Sequence, residues 1–169
     1  MRTMRCVYKI ENIELHEYVP TLFSPLYCNF EPMSLVRRIR FLFDYLHKRA
    51  YRVYYLKVDN DIVGYCFITP GGRRLNSSTN EDIVVGPYYI QERYRGKGLS
   101  EILINTSLAN SAYSYKTAYA WVFKKNIPSI KACEACGFIK YGELNVVGKI
   151  RRLVEVPNGK YIIFMKKNG

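Results

Sequence analysis

A short glycine-containing segment, Tyr94-Arg95-Gly96-Lys97-Gly98-Leu99-Ser100, decides the interpretation of this 169-residue chain. A β-rich run ends at Gln91, and a helical pattern begins at Leu99. The first N–H groups of a helix have no internal partner, and the helix macrodipole adds partial positive charge there. The two glycines let the backbone approach an anion closely. The segment therefore predicts a phosphate site, unless it is a plain turn that joins strand to helix.

Two other phosphate-binding motifs do not fit this segment. A Walker A loop requires G-x-x-x-x-G-K-[ST], and the sequence contains no such run. A dinucleotide fingerprint requires G-x-G-x-x-G, whereas Glu101 stands at the third glycine position after Gly96 and Gly98.

The elements on either side of the segment predict an α/β protein. Expected strands cover residues 5–10, 52–58, 62–69, 82–91, 118–123, 143–156 and 160–166, and expected helices cover 32–48, 99–113 and 128–136. Asp59-Asn60-Asp61 and Pro157-Asn158-Gly159 read as hairpin turns, and Gly137 closes the last helix. This order predicts one domain over residues 1–169, with a mixed sheet flanked by helices.

Two of these segments resemble the GNAT superfamily of N-acetyltransferases. Arg95 to Ser100 is similar to the family motif Q/R-x-x-G-x-G/A, with Ser100 as the small residue at the last place. Asn126-Ile127-Pro128-Ser129, followed by Gly137-Phe138, resembles the Asn that opens the family's last core helix and the Gly-Phe that closes it. The resemblance is specific from Asp82 to Phe138. It implies a GNAT-like fold whose central strands splay apart.

The resemblance also implies that acetyl-CoA is the cosubstrate. It would lie in a V-shaped slot between strands 82–91 and 118–123. Gly86-Pro87 independently predicts a bulge that would help those strands separate. The residues expected to bind the cofactor are Tyr89, Ile90 and Gln91 through their backbone, Arg95, Gly96, Lys97, Gly98, Leu99 and Ser100 at the pyrophosphate, and Asn126 and Ser129 on the opposite lip.

The implied reaction is attack of a primary amine on the thioester of acetyl-CoA. A base must first remove a proton from the amine. The family often places an acidic base at the position of Val84, and Asp82 is the nearest carboxylate, although it could also be a solvated residue at a loop end. Cys133 stands where the family often has a tyrosine that protonates the leaving thiolate. It is either that acid or a small core residue.

Cysteine and histidine usage indicates neither a disulfide framework nor a metal site. Five cysteines are scattered along the chain. Cys133 and Cys136 form a C-x-x-C, but at the end of a helix, where the dipole opposes a thiolate. His16 and His47 have no partners at ligand spacing and are expected at the surface. With no apolar run long enough to span a membrane and no signal peptide, the sequence predicts a reduced, cytoplasmic protein.

The net charge of +12, from 26 basic and 14 acidic residues, suits an anionic partner. We expect a small anionic amine acceptor, such as an amino sugar carried on a nucleotide, because basic residues exceed what coenzyme A needs. The surplus includes Arg37, Arg38, Arg40, Lys48, Arg49, Arg73 and Arg74. The alternatives are a non-catalytic acyl-CoA-binding module or a basic nucleic-acid-binding domain, for which no recognition motif is present. The oligomeric state stays open, a homodimer included.

Overall fold

The computed structural model describes residues 4–27, 35–46, 50–72, 75–148 and 152–168. Within them lie nine strands and three α-helices. The strands are β1 (Met4–Ile10), β2 (Ile13–Tyr18), β3 (Arg52–Val58), β4 (Asp61–Pro70), β5 (Ile83–Ile90), β6 (Thr117–Phe123), β7 (Ile139–Val147), β8 (Arg152–Glu155) and β9 (Tyr161–Lys167). The helices are α1 (Leu35–Leu46), α2 (Leu99–Ala109) and α3 (Ile127–Ala135), and a single 3₁₀ turn spans Glu92–Tyr94.

The chain forms two compact units, one of residues up to 69 with 87–112, the other of 70–86 with 113–169. In the first unit β1, β2, β3 and β4 follow one another as antiparallel neighbours, and the end of β5 lies beside β4. In the second unit the order is β5-β6-β9-β7-β8. That the two units act as a single domain over 1–169 stays a prediction.

The predicted α/β class with a mixed sheet is confirmed. β5 and β6 are parallel, whereas β6 with β9, β9 with β7 and β7 with β8 are antiparallel. The parallel pair is limited to Ile83 with Ala118 and Val84 with Tyr119. Pairing of the central strands is therefore confined to their first residues, as the predicted splayed arrangement requires.

The first unit has a core rich in tyrosine. The buried side chains of Tyr18, Phe41, Tyr51, Val53, Tyr55 and Tyr65 form one cluster. Tyr18 and Tyr55 meet edge to face, with ring centroids 6.4 Å apart, the geometry that aromatic quadrupoles favour. Six of the 16 tyrosines of the sequence are buried, namely Tyr18, Tyr51, Tyr54, Tyr55, Tyr65 and Tyr119. In the second unit a separate cluster joins Leu75, Val84, Tyr119, Leu144 and Ile163.

Tyr54 fastens the C-terminal end of α2 to β3. Its side chain is fully buried, and its hydroxyl donates to the carbonyl of Asn110 at 3.1 Å. The same hydroxyl accepts from the N–H of Ala112 at 3.0 Å. Asn110 is the C-cap of α2, so one phenol satisfies backbone groups on both sides of the helix end.

Strand β2 was missed by the sequence analysis, which expected one N-terminal strand. The turn before it contains no glycine, and Glu11 adopts a φ of 50°. Glu17 also obscures the apolar alternation, because it lies on the buried side with a side chain 5% exposed. Arg5 pairs with it at 2.8 Å and Arg52 lies at 3.6 Å, so the buried charge has partners.

The expected final hairpin, of 143–156 with 160–166, is only partly right in its pairing. Glu143 and Leu144 pair with Ile162 and Tyr161, whereas residues 152–155 do not pair with β9. The segment 143–156 is interrupted after Val147, and its two parts, β7 and β8, pair with each other. β9 instead lies between β6 and β7. The turn at 157–159 therefore joins consecutive strands that are not hydrogen-bonded neighbours, whereas the turn at 59–61 does join the expected hairpin of β3 and β4.

No helix within the described stretches has the length and apolar character needed to cross a bilayer. Several expectations fall outside the described residues: a helix start at Pro32, the position of His47, and the cations Lys48, Arg49, Arg73 and Arg74. The side chains of Arg37 and Arg40 are likewise not described, whereas Arg38 is exposed.

Candidate acetyl-CoA and catalytic residues

The glycine segment occupies the connection between β5 and α2, in the first unit. Gly96 has a φ of 76° and Gly98 a φ of 72°, both in the left-handed region that L side chains avoid. A Cβ placed on either glycine would meet no atom within 4 Å. The backbone conformation therefore requires glycine at both positions, and the space beside them is open.

Helix α2 begins at Gly98 without a capping side chain, all residues of this turn being described. The Gly98 carbonyl accepts from the N–H groups of Glu101 and Ile102, at 3.0 and 3.2 Å. The N–H groups that precede them in the first turn have no intrahelical partner. This end of α2 combines such donors, the positive end of the dipole and open space, which suits an anionic group.

The two cations of the segment lie against aromatic rings, which the sequence analysis did not anticipate. The Arg95 guanidinium lies 5.4 Å from the ring centroid of Tyr89, and its Nε donates to the carbonyl of Ile90 at 3.0 Å. Lys97 Nζ lies 5.7 Å from the ring centroid of Tyr94. Arg95 thus holds the end of β5 as well as adding charge.

The backbone at the end of β5 alternates between two directions. Gln91 donates its N–H to Val63 of β4 at 2.9 Å, and its side chain donates to Ile62. The carbonyl of Tyr89 also faces β4, where it closely approaches Gly64. Because backbone groups of successive strand residues point to opposite sides, those of Ile90 and Tyr88 face away from β4. Of the three residues expected to pair with pantetheine, Ile90 has this direction, whereas the backbone groups of Tyr89 and Gln91 face β4.

In the second unit, Asp82 closes the loop before β5. Its side chain is buried, with the residue 6% exposed. One carboxylate oxygen accepts from both the N–H and the hydroxyl of Thr79, at 2.7 and 2.8 Å. The solvated position that was the alternative for Asp82 is therefore wrong: the carboxylate is held in a fixed orientation.

Tyr119 of β6 is a further polar side chain near Asp82 that the sequence analysis overlooked. Burial raises its pKa above the ordinary 10.0, and the negative charges of Asp82 and Glu155, with the neighbouring Tyr141, act in the same direction. Glu155 itself accepts from the N–H and hydroxyl of Ser77, both at 2.9 Å. Tyr119 could have been found from the alternation of side chains along β6, since that alternation places Tyr119 and Trp121 on the same face of the sheet.

The residues expected on α3 have structural roles in the second unit. Asn126 is the N-cap, and its Oδ1 accepts from the N–H of Ser129 at 3.3 Å. Cys133 is 1% exposed, which favours the core alternative. Its carbonyl accepts from Phe138 at 3.0 Å, and Gly137 provides the left-handed residue at the helix end. The predicted C-terminal cap is therefore confirmed.

Fold and site together define an α/β protein that offers a helix start to an anionic ligand. The chain belongs to the acetyltransferase (GNAT) family, whose match extends over residues 10–138. The family expected from the two sequence motifs is thus confirmed.

Spermine/spermidine N(1)-acetyltransferase of Bacillus subtilis (strain 168) is 28% identical to the chain over 96 residues, which are 56% of this chain and 63% of that protein. The chain thus matches less than two thirds of the length of this curated relative.

Among solved structures, ribosomal-protein-S5-alanine acetyltransferase from Vibrio fischeri is similar with a TM-score of 0.62 and 17% identity, over 95% of this chain and 96% of that one. Microcin C7 self immunity acetyltransferase MccE, in complex with acetyl-CoA and AMP, gives 0.56 and 15%, over 91% and 92%. Campylobacter jejuni N-acetyltransferase PseH, in complex with acetyl coenzyme A, gives 0.51 and 22%, over 78% of each chain. At these identities the likeness shows the fold.

Proposed function

We propose that this protein is an N-acetyltransferase that moves an acetyl group from acetyl-CoA to the primary amine of a small molecule. The observation that carries the proposal is the uncapped start of α2 at Gly98, with open space beside Gly96 and Gly98. The N–H groups from Lys97 to Ser100 bind the pyrophosphate. The N–H of Ile90, which faces away from β4, donates to the pantetheine arm, while the Ile90 carbonyl accepts from Arg95. Family membership and the acetyl-CoA complexes of MccE and PseH support the cosubstrate.

In the proposed reaction the neutral amine attacks the thioester carbonyl directly. An amine with a pKa near 10 is mostly protonated at pH 7, which costs about 4 kcal/mol at about 1.36 kcal/mol per unit. Asp82 removes that proton, directly or through water, and its fixed orientation by Thr79 supports this role. Cys133 stays the candidate acid for the leaving thiolate, although its burial makes a packing role the stronger alternative.

We further propose that the acceptor is anionic. The support is the net charge of +12, which raises the local concentration of a phosphorylated amine and disfavours cationic peptides.

A cationic polyamine is the second candidate acceptor. The negative charges of Asp82 and Glu155 both act to raise the pKa of Tyr119, so two carboxylates of the second unit lie near the same phenol. Such a pair of carboxylates would attract a cationic amine. The Bacillus subtilis relative is a spermine/spermidine acetyltransferase by name, which supports the same class.

Steady-state release of CoA thiol from acetyl-CoA tests the activity over a panel of amines. The panel pairs each amine with its phosphorylated counterpart and adds polyamines, each at two salt concentrations. Turnover that favours the phosphorylated members at low salt supports the anionic acceptor. Preference for spermidine contradicts that acceptor and leaves the acetyltransferase proposal intact.

Two non-enzymatic alternatives give different results in the same experiment. CoA binding without turnover on any amine would indicate an acyl-CoA-binding module. Binding of duplex DNA or RNA with a steep salt dependence, and no effect of CoA, would indicate a nucleic-acid-binding domain.

A further inference from the structure

Three potential metal ligands converge on one face of the β1–β2 hairpin, in the first unit. Cys6 Sγ, a Glu14 carboxylate oxygen and a His16 ring nitrogen all lie within 4.8 Å of one another. Cys6 is directly opposite His16 in the antiparallel register. Glu14 and His16 share a face because side chains two residues apart in a strand point the same way. None of the three belongs to the glycine segment or to the proposed catalytic residues.

A bulge in β1 assembles this cluster. The register shifts between Cys6 and Tyr8, so that Lys9 lies opposite Glu14 while Cys6 lies opposite His16. In a regular strand Cys6 and Lys9, three residues apart, would point to opposite faces. The extra residue brings both to the face of Glu14 and His16.

The present contacts leave Glu14 oriented for coordination. Its Oε1 lies 2.7 Å from Lys9 Nζ, and its Oε2 lies 2.8 Å from His16 Nε2. One oxygen is thus held by a cation while the other faces the histidine. An ion on Oε2 would keep the Lys9 contact and replace the Glu14–His16 hydrogen bond.

We propose that the reduced hairpin binds one Zn²⁺ through Cys6, Glu14 and His16. Thiolate, imidazole and carboxylate are zinc ligands, whereas Mg²⁺ and Ca²⁺ prefer an all-oxygen set. Tetrahedral Zn²⁺ with bonds of about 2.0–2.3 Å separates its ligand atoms by about 3.3–3.6 Å. The ligands need to shift by about 1 Å to reach that spacing, which rotamer adjustment of the exposed Cys6 can provide. Binding displaces the Cys6 thiol proton to solvent, and a water completes the fourth position.

Titration of Zn²⁺ into the reduced 169-residue protein tests this site, with Co²⁺ as a spectroscopic probe. We expect one ion per chain and a thiolate-to-cobalt charge-transfer band that Cys6→Ser abolishes. Cys6→Ser and His16→Gln should each weaken Zn²⁺ binding by about 100-fold or more, since even outer-shell partners contribute about 10–100-fold. Lys9→Met should strengthen it several-fold, because a competing cation is removed from Glu14.

Glu11→Gln is the matched control, because it removes an exposed carboxylate from the same hairpin without touching the cluster. Its Zn²⁺ affinity should equal that of wild type. Thermal melts without metal serve to check that each variant is folded. Wild-type binding no tighter than that of Cys6→Ser, with both proteins folded, overturns the proposal.

Discussion

The carboxylate of Asp82 accepts two hydrogen bonds from Thr79, one from its N–H at 2.7 Å and one from its hydroxyl at 2.8 Å. The proposed base, Asp82, can therefore be tested separately from Thr79, which orients it. Asp82→Asn should lower kcat by about 10²-fold, in the range of a positioned general base, with the loss shrinking as pH rises and more amine is neutral.

Thr79→Val is the companion variant, because it removes the hydroxyl bond and keeps both the N–H bond and the carboxylate. It should cost less kcat than Asp82→Asn. Equal kcat and equal pH profiles for Asp82→Asn and wild type would show that Asp82 has no part in proton transfer.

Gly98→Trp should abolish CoA binding as measured by calorimetry, because the side chain fills the space beside the start of α2. The chain offers a matched control in Gly148, which has the same φ of 72° and likewise no atom within 4 Å of a built Cβ. Gly148→Trp therefore imposes similar backbone strain at a residue that is not part of the glycine segment. Equal CoA affinities for the two folded variants would place the pyrophosphate elsewhere.

Cys133→Ala should retain most of the activity while lowering the free energy of unfolding by about 1 kcal/mol, the central value for point substitutions in general. The reason is its position in α3 with 1% exposure. Denaturant unfolding and steady-state kinetics measure the two effects separately. A loss in kcat beyond about 10²-fold with stability intact would identify Cys133 as the general acid.

Tyr119 should ionise above pH 10.0 in the folded protein. Since burial and nearby negative charge raise its pKa, its contribution to stability is complete below the unfolded pKa and is lost as pH rises through the folded value. Tyrosine ¹³C resonances followed against pH, with Tyr119→Phe for assignment, measure this shift. In Asp82→Asn the pKa should move back toward 10.0. A folded pKa at or below 10.0 would contradict the prediction.

The elements with strong local signals were predictable, including the β3–β4 hairpin with its turn at 59–61. Strand β2 and the position of β9 were not. Helix α2 and the cap at Gly137 follow from glycines at defined positions. Strand β2 could not be found by apolar alternation, because Glu17 occupies a buried position, where Arg5 and Arg52 pair with its charge.

The site residues can likewise be divided into those with a local sequence signal and those whose position depends on strand pairing. The phosphate segment was predicted from local residue types, and its binding role stays a prediction. Which backbone groups of β5 face away from β4 depends on register, so Tyr88 could not be distinguished from Tyr89 before Gln91 was seen to pair with Val63. The proximity of Cys6 to His16 required both an unrecognised hairpin and a bulge within it.

The hydroxyl of Tyr54 fixes the C-terminal end of α2, so a small tilt there moves the N-terminal end of the helix. Eleven residues rise about 16 Å at 1.5 Å each, so a tilt of about 5° at Asn110 would displace the start of the helix by about 1.4 Å. Displacements near 1 Å can reduce catalysis about 10²-fold. Tyr54→Phe leaves the buried ring in place but removes the hydroxyl. We therefore expect it to raise the KM for acetyl-CoA, although Tyr54 lies at the end of α2 opposite to the glycine segment.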